Sequence, residues 1–319
     1  MSDKPVIAVS ACLVGEKVLS SGDAAEFQPL SRKWSKHLEL IPICPEVGIG
    51  MGVPRPSTRL IDNEGKVALV NPENGEDYTK KMSEFSQLQS DILVTAGICG
   101  FVFKTNSPTC GLGNVSVYQF DNQHVVREGR GIFAMVFTSL NPHIPTIEER
   151  RLTDPKQAEH FLSRVHFFHE WKKAGANGWD ANKIMQFHNE NKLFLLSRAP
   201  HTKQVLGRMI ARRFDEGAHP EHVALEYITG AQKALNVVTK KGRIAHTMER
   251  VLGKLSHQLS KQEKQEVVES IHGFRQGILP RSAPLEMLNH YLRRYNMEDK
   301  IINRFISSVP LEMRLMVRV

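Results

Sequence analysis

The chain has 319 residues, 41% of them hydrophobic and 24% charged, with a formal net charge of +8. That length is large for one hydrophobic core and favours two domains. No apolar run is long enough to span a bilayer, and the opening MSDKPVIAVS lacks the basic and apolar regions of a secretory signal, so a cytoplasmic protein with no membrane partner is expected.

The charge is unevenly spread. Residues 1–150 carry a balance of −3 and residues 151–319 one of +11, and the four cysteines (Cys12, Cys44, Cys99 and Cys110) all lie in the first part. This split suggests chemistry in an acidic half and a polyanion partner for a basic one.

Pro5–Leu13 (PVIAVSACL) and Leu38–Cys44 (LELIPIC) are short apolar runs with the composition of buried strands. Thr58–Asn71 reads as two strands about a turn at Asn63, Glu64 and Gly65. Asp77–Ala96 has helical spacing, with Met82, Phe85, Leu88 and Ile92 recurring every three or four residues. Ile98–Lys104 predicts another buried strand, the loop TNSPTCGLGN follows, and Val115–Phe120 alternates as a further strand. Strands interleaved with a helix, and connections too long for hairpins, predict an α/β domain with a largely parallel sheet. Two prolines interrupt the pattern between Ser139 and Arg150, where the domain boundary is expected.

Beyond that boundary the spacing is helical. Asp154 and Pro155 start a helix whose apolar face is Ala158, Phe161, Leu162, Val165 and Phe168. Val205, Leu206, Met209 and Ile210 mark another over Thr202–Phe214. Ser260 and Glu263 form a capping-box pattern ahead of Val267, Val268, Ile271 and Phe274, and Gly277 ends that helix. The second half is therefore expected to be all-α.

Cys12, Cys44 and Cys110 each come at or just past the C-terminal end of a predicted strand, the edge at which open parallel sheets bind ligands. A lone cysteine is most often a small buried hydrophobe, and Cys99 within ICGFVFK fits that description. Cys110, surrounded by Ser, Pro, Thr, Gly and Asn, does not, and Cys44 is followed at once by Pro45 and Glu46. There is no Cys-x-x-Cys, and a reducing compartment disfavours disulfides. Three thiolates suit a [4Fe–4S] cluster with one iron left open as a Lewis acid. His160, His166, His169 and His188 lack the spacing of a recognisable ligand set, so packing and stacking are expected of them.

The stretches SACLVG (Ser10–Gly15), CPEVGIGMGVPRP (Cys44–Pro56) and FKTNSPTCG (Phe103–Gly111) resemble the three signature segments of the TudS, or thiouracil desulfidase, family. In the second half, Phe187–Ala211, Leu259–Pro280 and LNHYLRRY (Leu288–Tyr295) resemble the YbgA-like helical domain. The fusion resembles RudS-type desulfidases, which act on 4-thiouridine in transfer RNA. The resemblance implies a TudS-like domain over residues 1–145 and a basic, RNA-binding YbgA-like domain over residues 146–319. It implies a [4Fe–4S] cluster held by Cys12, Cys44 and Cys110, catalysis by Glu46 and Ser107, and hydrolysis of C=S to C=O with release of hydrosulfide. One departure is that VLSSGDAAEF stands where family members often carry a basic or aromatic residue and Asp-Gly-Gly.

Around these residues, Gly48, Gly50 and Gly52 are expected to let backbone approach a flat base. Arg55, between two prolines, is a candidate contact to a phosphate or base oxygen, with a surface ion pair as the alternative. In the basic half, Lys203, Arg208, Arg212 and Arg213 form one cluster, Lys240, Lys241 and Arg243 a second, and Arg293 and Arg294 a third. A charge run is usually a solvated face, but the imbalance over the whole half matches a grip on the phosphate backbone of transfer RNA. Two further readings stay open: desulfuration of free thiouracil or a thionucleoside, and a non-catalytic iron–sulfur sensor that binds RNA.

Overall fold

The computed structural model describes residues 4–63, 65–119 and 124–308. Glu64 of the expected turn, Phe120 of the expected strand and residues 309–319 of the expected helical domain lie outside the described residues. In chain order the strands are β1 (Val6–Ser10), β2 (Glu39–Ile43), β3 (Arg59–Asn63), β4 (Lys66–Val70), β5 (Phe101–Phe103), β6 (Val115–Tyr118), β7 (Val125–Gly129) and β8 (Thr146–Glu148). The first sheet has the order β2-β1-β5-β8 and is parallel throughout, which is the parallel sheet expected from the sequence. A second sheet, ordered β4-β3-β6-β7, was not anticipated. It is mixed: β3 with β4 and β6 with β7 are antiparallel, and β3 with β6 is parallel. Strands that follow one another this closely along the chain lack the length for a crossover and pair antiparallel instead.

The first sheet is buried because its strands are apolar on both faces. Ile7, Ala8, Val9, Phe101, Val102 and Phe103 are all buried. Among the described residues, three α-helices complete this half: α1 (Pro45–Gly48), α2 (Thr79–Thr95) and α3 (Ile132–Leu140). The rings of Phe101 and Phe103 stack at 3.8 Å, and Phe137 of α3 meets them edge-on at 5.1 and 5.9 Å. The segment Ser139–Arg150, read as a connection, holds the end of α3 and the edge strand β8. Pro145 precedes β8 and accepts the Phe101 N–H at 2.9 Å, an edge position where the missing proline N–H breaks no ladder.

Helix α2 forms where the spacing predicts it but turns a different face inward. Met82, Ser86, Ser90 and Leu93 are buried, whereas Leu88 and Ile92 are 62% and 50% exposed. The two serines can face the core because their hydroxyls donate to the carbonyls of Met82 and Ser86 at 2.5 and 2.7 Å, which leaves no unsatisfied polar atom.

The chain divides into one compact unit through Val165 and another from His166. Helix α4 (Pro155–Ala174) spans the division. Its first turn is capped by Asp154 Oδ1, which accepts from the Lys156 N–H at 2.8 Å, and its predicted apolar face is buried. Then come α5 (Ala181–Glu190), α6 (Lys192–Arg198), α7 (Pro200–Asp215), α8 (Pro220–Leu235), α9 (Lys241–Leu255), α10 (Lys261–Gln276), α11 (Ser282–Arg294) and α12 (Lys300–Ile306). The Ser260–Glu263 capping box is present in both directions, and Gly277 closes α10 at φ +86°. Among the described residues no helix is long and apolar enough to cross a membrane.

His188 of α5 is buried with its Nδ1 3.3 Å from the Tyr227 hydroxyl. Burial, and then the positive charge of Lys203, lower its pKa from 6.5 to about 4. Above pH 6.5 both folded and unfolded chains carry it neutral. Below that, the unfolded chain takes up a proton that the folded chain refuses. Its contribution is a loss of stability as pH falls, reaching roughly 3 kcal/mol near pH 4. Urea titrations between pH 7 and pH 4 should show this slope, and His188→Gln should reduce it by about one proton. An unchanged slope would mean that His188 titrates alike in both states.

Candidate active site

The C-terminal ends of β2, β1 and β5 lie side by side along one edge of the parallel sheet, and each delivers a thiol. Cys12 follows β1 in a single 3₁₀ turn, Ala11–Val14, closed by Gly15 at φ +94°. Cys44 follows β2 as the N-cap of α1, so the stiff segment after it is one helical turn with Pro45 at its first position. Cys110 lies in the loop after β5. There Ser107 Oγ accepts from the N–H groups of Thr109 and Cys110 at 3.3 and 3.0 Å, and the Gly111 N–H donates to the Ser107 carbonyl at 2.9 Å. Ser107 is thus the residue that folds this turn. Cys99 enters the opposite end of β5, where its N–H meets the Val6 carbonyl at 2.6 Å, and it is buried away from the other three.

Glu46 stands in α1 and joins two of these segments. Its Oε2 accepts from Cys44 Sγ at 3.5 Å, and its Oε1 accepts from Thr109 Oγ1 at 2.5 Å. Thr109 Oγ1 is in turn 2.9 Å from Ser107 Oγ and 3.8 Å from Cys110 Sγ. Ser107, Thr109 and Glu46 therefore form a continuous chain of exchangeable protons beside the thiols. Sequence reasoning missed Thr109. Its place between Ser107 and Cys110 in SPTC was the available signal.

Arg55 is not a surface ion pair but turns inward, toward Cys44 and Glu46. Its side chain is 6% exposed. Nη2 donates to the Val18 carbonyl at 2.8 Å and Nη1 to the Gly52 carbonyl at 3.0 Å. Nη2 also lies 3.9 Å from both Cys44 Sγ and Glu46 Oε2. The glycines have structural tasks as well. A Cβ on Gly48 would come within 2.3 Å of the Phe85 ring of α2, and Gly50 and Gly52 hold φ of +85° and +72°. Gly131, also missed, lets the start of α3 press on the cysteine loop, since a Cβ there would fall 2.4 Å from the Thr109 carbonyl.

Burial dominates the electrostatics of the thiols. It raises Cys12 and Cys44 to about 11 each and Cys110 well above its ordinary value. Glu46 raises all three, Cys44 raises Cys12, and Cys12 raises Cys110, so the three sulfurs and the carboxylate share one neighbourhood. Opposing this, Lys104 favours the thiolate of Cys12 and Arg55 that of Cys44. Lys104 is held by Glu149 at 3.1 Å, and Glu149 also accepts from the Thr105 N–H and hydroxyl, both at 2.7 Å.

Three free thiols, Cys12 and Cys110 buried and Cys44 half-buried, set beside a carboxylate that opposes their ionisation, need a positive centre to become thiolates. Among the described residues no three His, Cys, Asp or Glu side chains gather tightly enough to hold a single metal ion. A cubane cluster asks for something different, one thiolate on each of three irons rather than three on one. Soft sulfur donors on three separate loops of one sheet edge fit that demand.

In the second unit the sequence-predicted cations divide into two groups. Arg213 pairs with Glu216 and Glu226 at 3.0 Å each, Arg212 lies 3.7 Å from Glu216, Arg294 pairs with Glu263 at 3.0 Å, and Arg243 donates to the Arg198 carbonyl at 3.3 Å. Among the described residues Lys203, Arg208, Lys240, Lys241 and Arg293 make no ion pair.

Residues 7–149 match the family model described as 2-thiouracil desulfurase, and residues 192–307 match one described as a protein of unknown function, DUF1722. The uncharacterized protein YbbK of Bacillus subtilis (strain 168) is 25% identical over 154 residues, which is 47% of this chain and 99% of that protein. A solved structure of the [4Fe–4S]-dependent thiouracil desulfidase TudS is 26% identical, covering 47% of this chain and 93% of its own, with a TM-score of 0.37.

Proposed function

Since residues 7–149 carry a 2-thiouracil desulfurase-family domain, we propose that this chain is an iron–sulfur-dependent hydrolytic desulfidase whose substrate is 4-thiouridine in transfer RNA. The reaction exchanges the thiocarbonyl sulfur for oxygen, C=S plus water giving C=O plus hydrogen sulfide, with no net redox change. The observation that supports it best is the meeting of Cys12, Cys44 and Cys110 at adjacent strand ends, with Glu46 hydrogen-bonded between two of their loops.

Cys12, Cys44 and Cys110 would hold a [4Fe–4S] cluster, which when bound supplies an open iron as a Lewis acid for a soft sulfur donor. The remaining work belongs to the chain. Glu46 takes a proton from the attacking water and gives one to the departing sulfur. Ser107, linked through Thr109 to the carboxylate, orients the water. Thr109 fixes Oε1 of Glu46, and Arg55 holds the Cys44 and Glu46 segment against the Val18 and Gly52 carbonyls. The net +11 of residues 151–319 supports a polyanionic carrier for the thiolated base. A thiolated base inside a folded RNA must be exposed locally, at a cost of a few kcal/mol.

The 2-thiouracil of the family description keeps the free base as a second reading. Anaerobic incubation of the cluster-loaded protein, without added reductant, with 4-thiouridine transfer RNA, free 4-thiouridine and free 2-thiouracil separates the two. The RNA should be desulfurated with a kcat/KM about tenfold or more above either free compound, because phosphate contacts add binding. A preference for the free base would move the substrate to the second reading. No sulfide release from any of the three would remove the enzyme proposal.

A further inference from the structure

A cavity of about 420 Å³ lies within the helical unit among α6, α7 and α9, lined by Lys192, Leu193, Leu196, Lys203, Arg250 and Lys254. Four of its six lining residues are cations. Lys254 is held by Asp299 at 2.8 Å, but among the described residues Lys192, Lys203 and Arg250 make no ion pair. Other cations of the unit are paired, Arg213, Arg275, Arg294 and Arg304 each with a carboxylate, and the unpaired Arg208, Lys240 and Lys241 line no part of this cavity. Cations gathered around one hollow repel one another, and an anion seated among them removes that cost. The floor is apolar. Leu193 is buried in the helical core and Leu196 packs against it, so neither can withdraw from the cavity. Of the cations that the sequence singles out, Lys203 alone is part of this lining.

We propose that this cavity is a nucleotide site. The phosphate sits among Lys192, Lys203 and Arg250, and the flat base lies on Leu193 and Leu196. The volume falls within the range of pockets that enclose a ligand of this size. The inference rests on the RNA reading of the helical half for its first source of nucleotide, a residue of an RNA chain. A free nucleotide has the same chemistry.

The test uses the full chain and an RNA without sulfur, so that it is independent of desulfuration. Anisotropy of a fluorescein-labelled, unmodified transfer RNA transcript is measured against the wild type, Lys192→Glu, Arg250→Glu and the control Arg275→Glu, with circular dichroism to confirm folding. Titration calorimetry with uridine 5′-monophosphate runs in parallel. Charge reversal at Lys192 or Arg250 should weaken transcript binding about tenfold or more, and at Arg275, which is paired with Glu249, less than about threefold. Equal losses at all three positions would make the grip a diffuse charged face and overturn the site while leaving RNA binding intact. If the transcript fails to bind but the monophosphate binds and loses affinity in Arg250→Glu, the site stands with a free nucleotide and the RNA reading falls. Binding of neither probe overturns the site.

Discussion

Replacing Cys110 with alanine should leave the protein folded, without bound iron or sulfide, and with desulfuration reduced roughly a thousandfold, the scale of a lost Lewis acid. Cys12→Ala should behave alike. Both side chains are buried, at 4% and 6% exposure, and a small apolar replacement fits where a thiol sits. The loops that carry them do not depend on the sulfurs. The Cys110 loop is closed by Ser107 Oγ and backed by Gly131, and the Cys12 turn is closed by Gly15. Cys99→Ala provides the matched control, since it removes an equally buried thiol from the other end of β5 and should leave the iron content unchanged. Iron and acid-labile sulfide per chain, with visible absorbance, read the result without any activity measurement. Full iron content in Cys110→Ala or Cys12→Ala would exclude these thiols as cluster ligands.

Glu46→Gln should lower kcat by about 10²- to 10⁴-fold while the cluster stays bound. The amide has the shape of the carboxylate, and its carbonyl oxygen can still accept from Thr109 Oγ1, so the link between α1 and the cysteine loop survives. What it loses is the ability to take and return a proton. The sign of the electrostatic effect makes cluster retention a firm expectation. Glu46 raises all three thiols, so removing its charge makes thiolates easier to form. Thr109→Val and Thr109→Ser separate positioning from proton transfer. Valine breaks the bond to Oε1 and should lower kcat about 10- to 100-fold with KM little changed, and serine should restore it. Undiminished turnover in Glu46→Gln would take Glu46 out of the mechanism, and a valine effect that serine does not rescue would reduce Thr109 to packing.

The helical half was legible where local rules suffice. Asp154, the Ser260–Glu263 box and Gly277 end or begin helices through contacts within a few residues, and these contacts are visible in the sequence. The thiols at the ends of apolar runs were legible for the same reason, because a strand and its exit are neighbours in the chain. Other features depended on partners far away. Leu88 and Ile92 keep helical spacing yet face outward, because Ser86 and Ser90 satisfy their own hydroxyls and take the inner face. Arg55 is buried because Val18, distant in sequence, offers it a carbonyl.

From its order of residues alone this protein specifies an α/β half carrying three ligand-like thiols and a basic half made of helices. Periodicity, capping and charge balance are properties of neighbouring residues. The order β2-β1-β5, the bond from Thr109 to Glu46 and the separation of paired from unpaired cations were decided only by tertiary structure. Each joins segments that the chain holds far apart, and only the packing of the folded units brings them within hydrogen-bonding and Coulombic range.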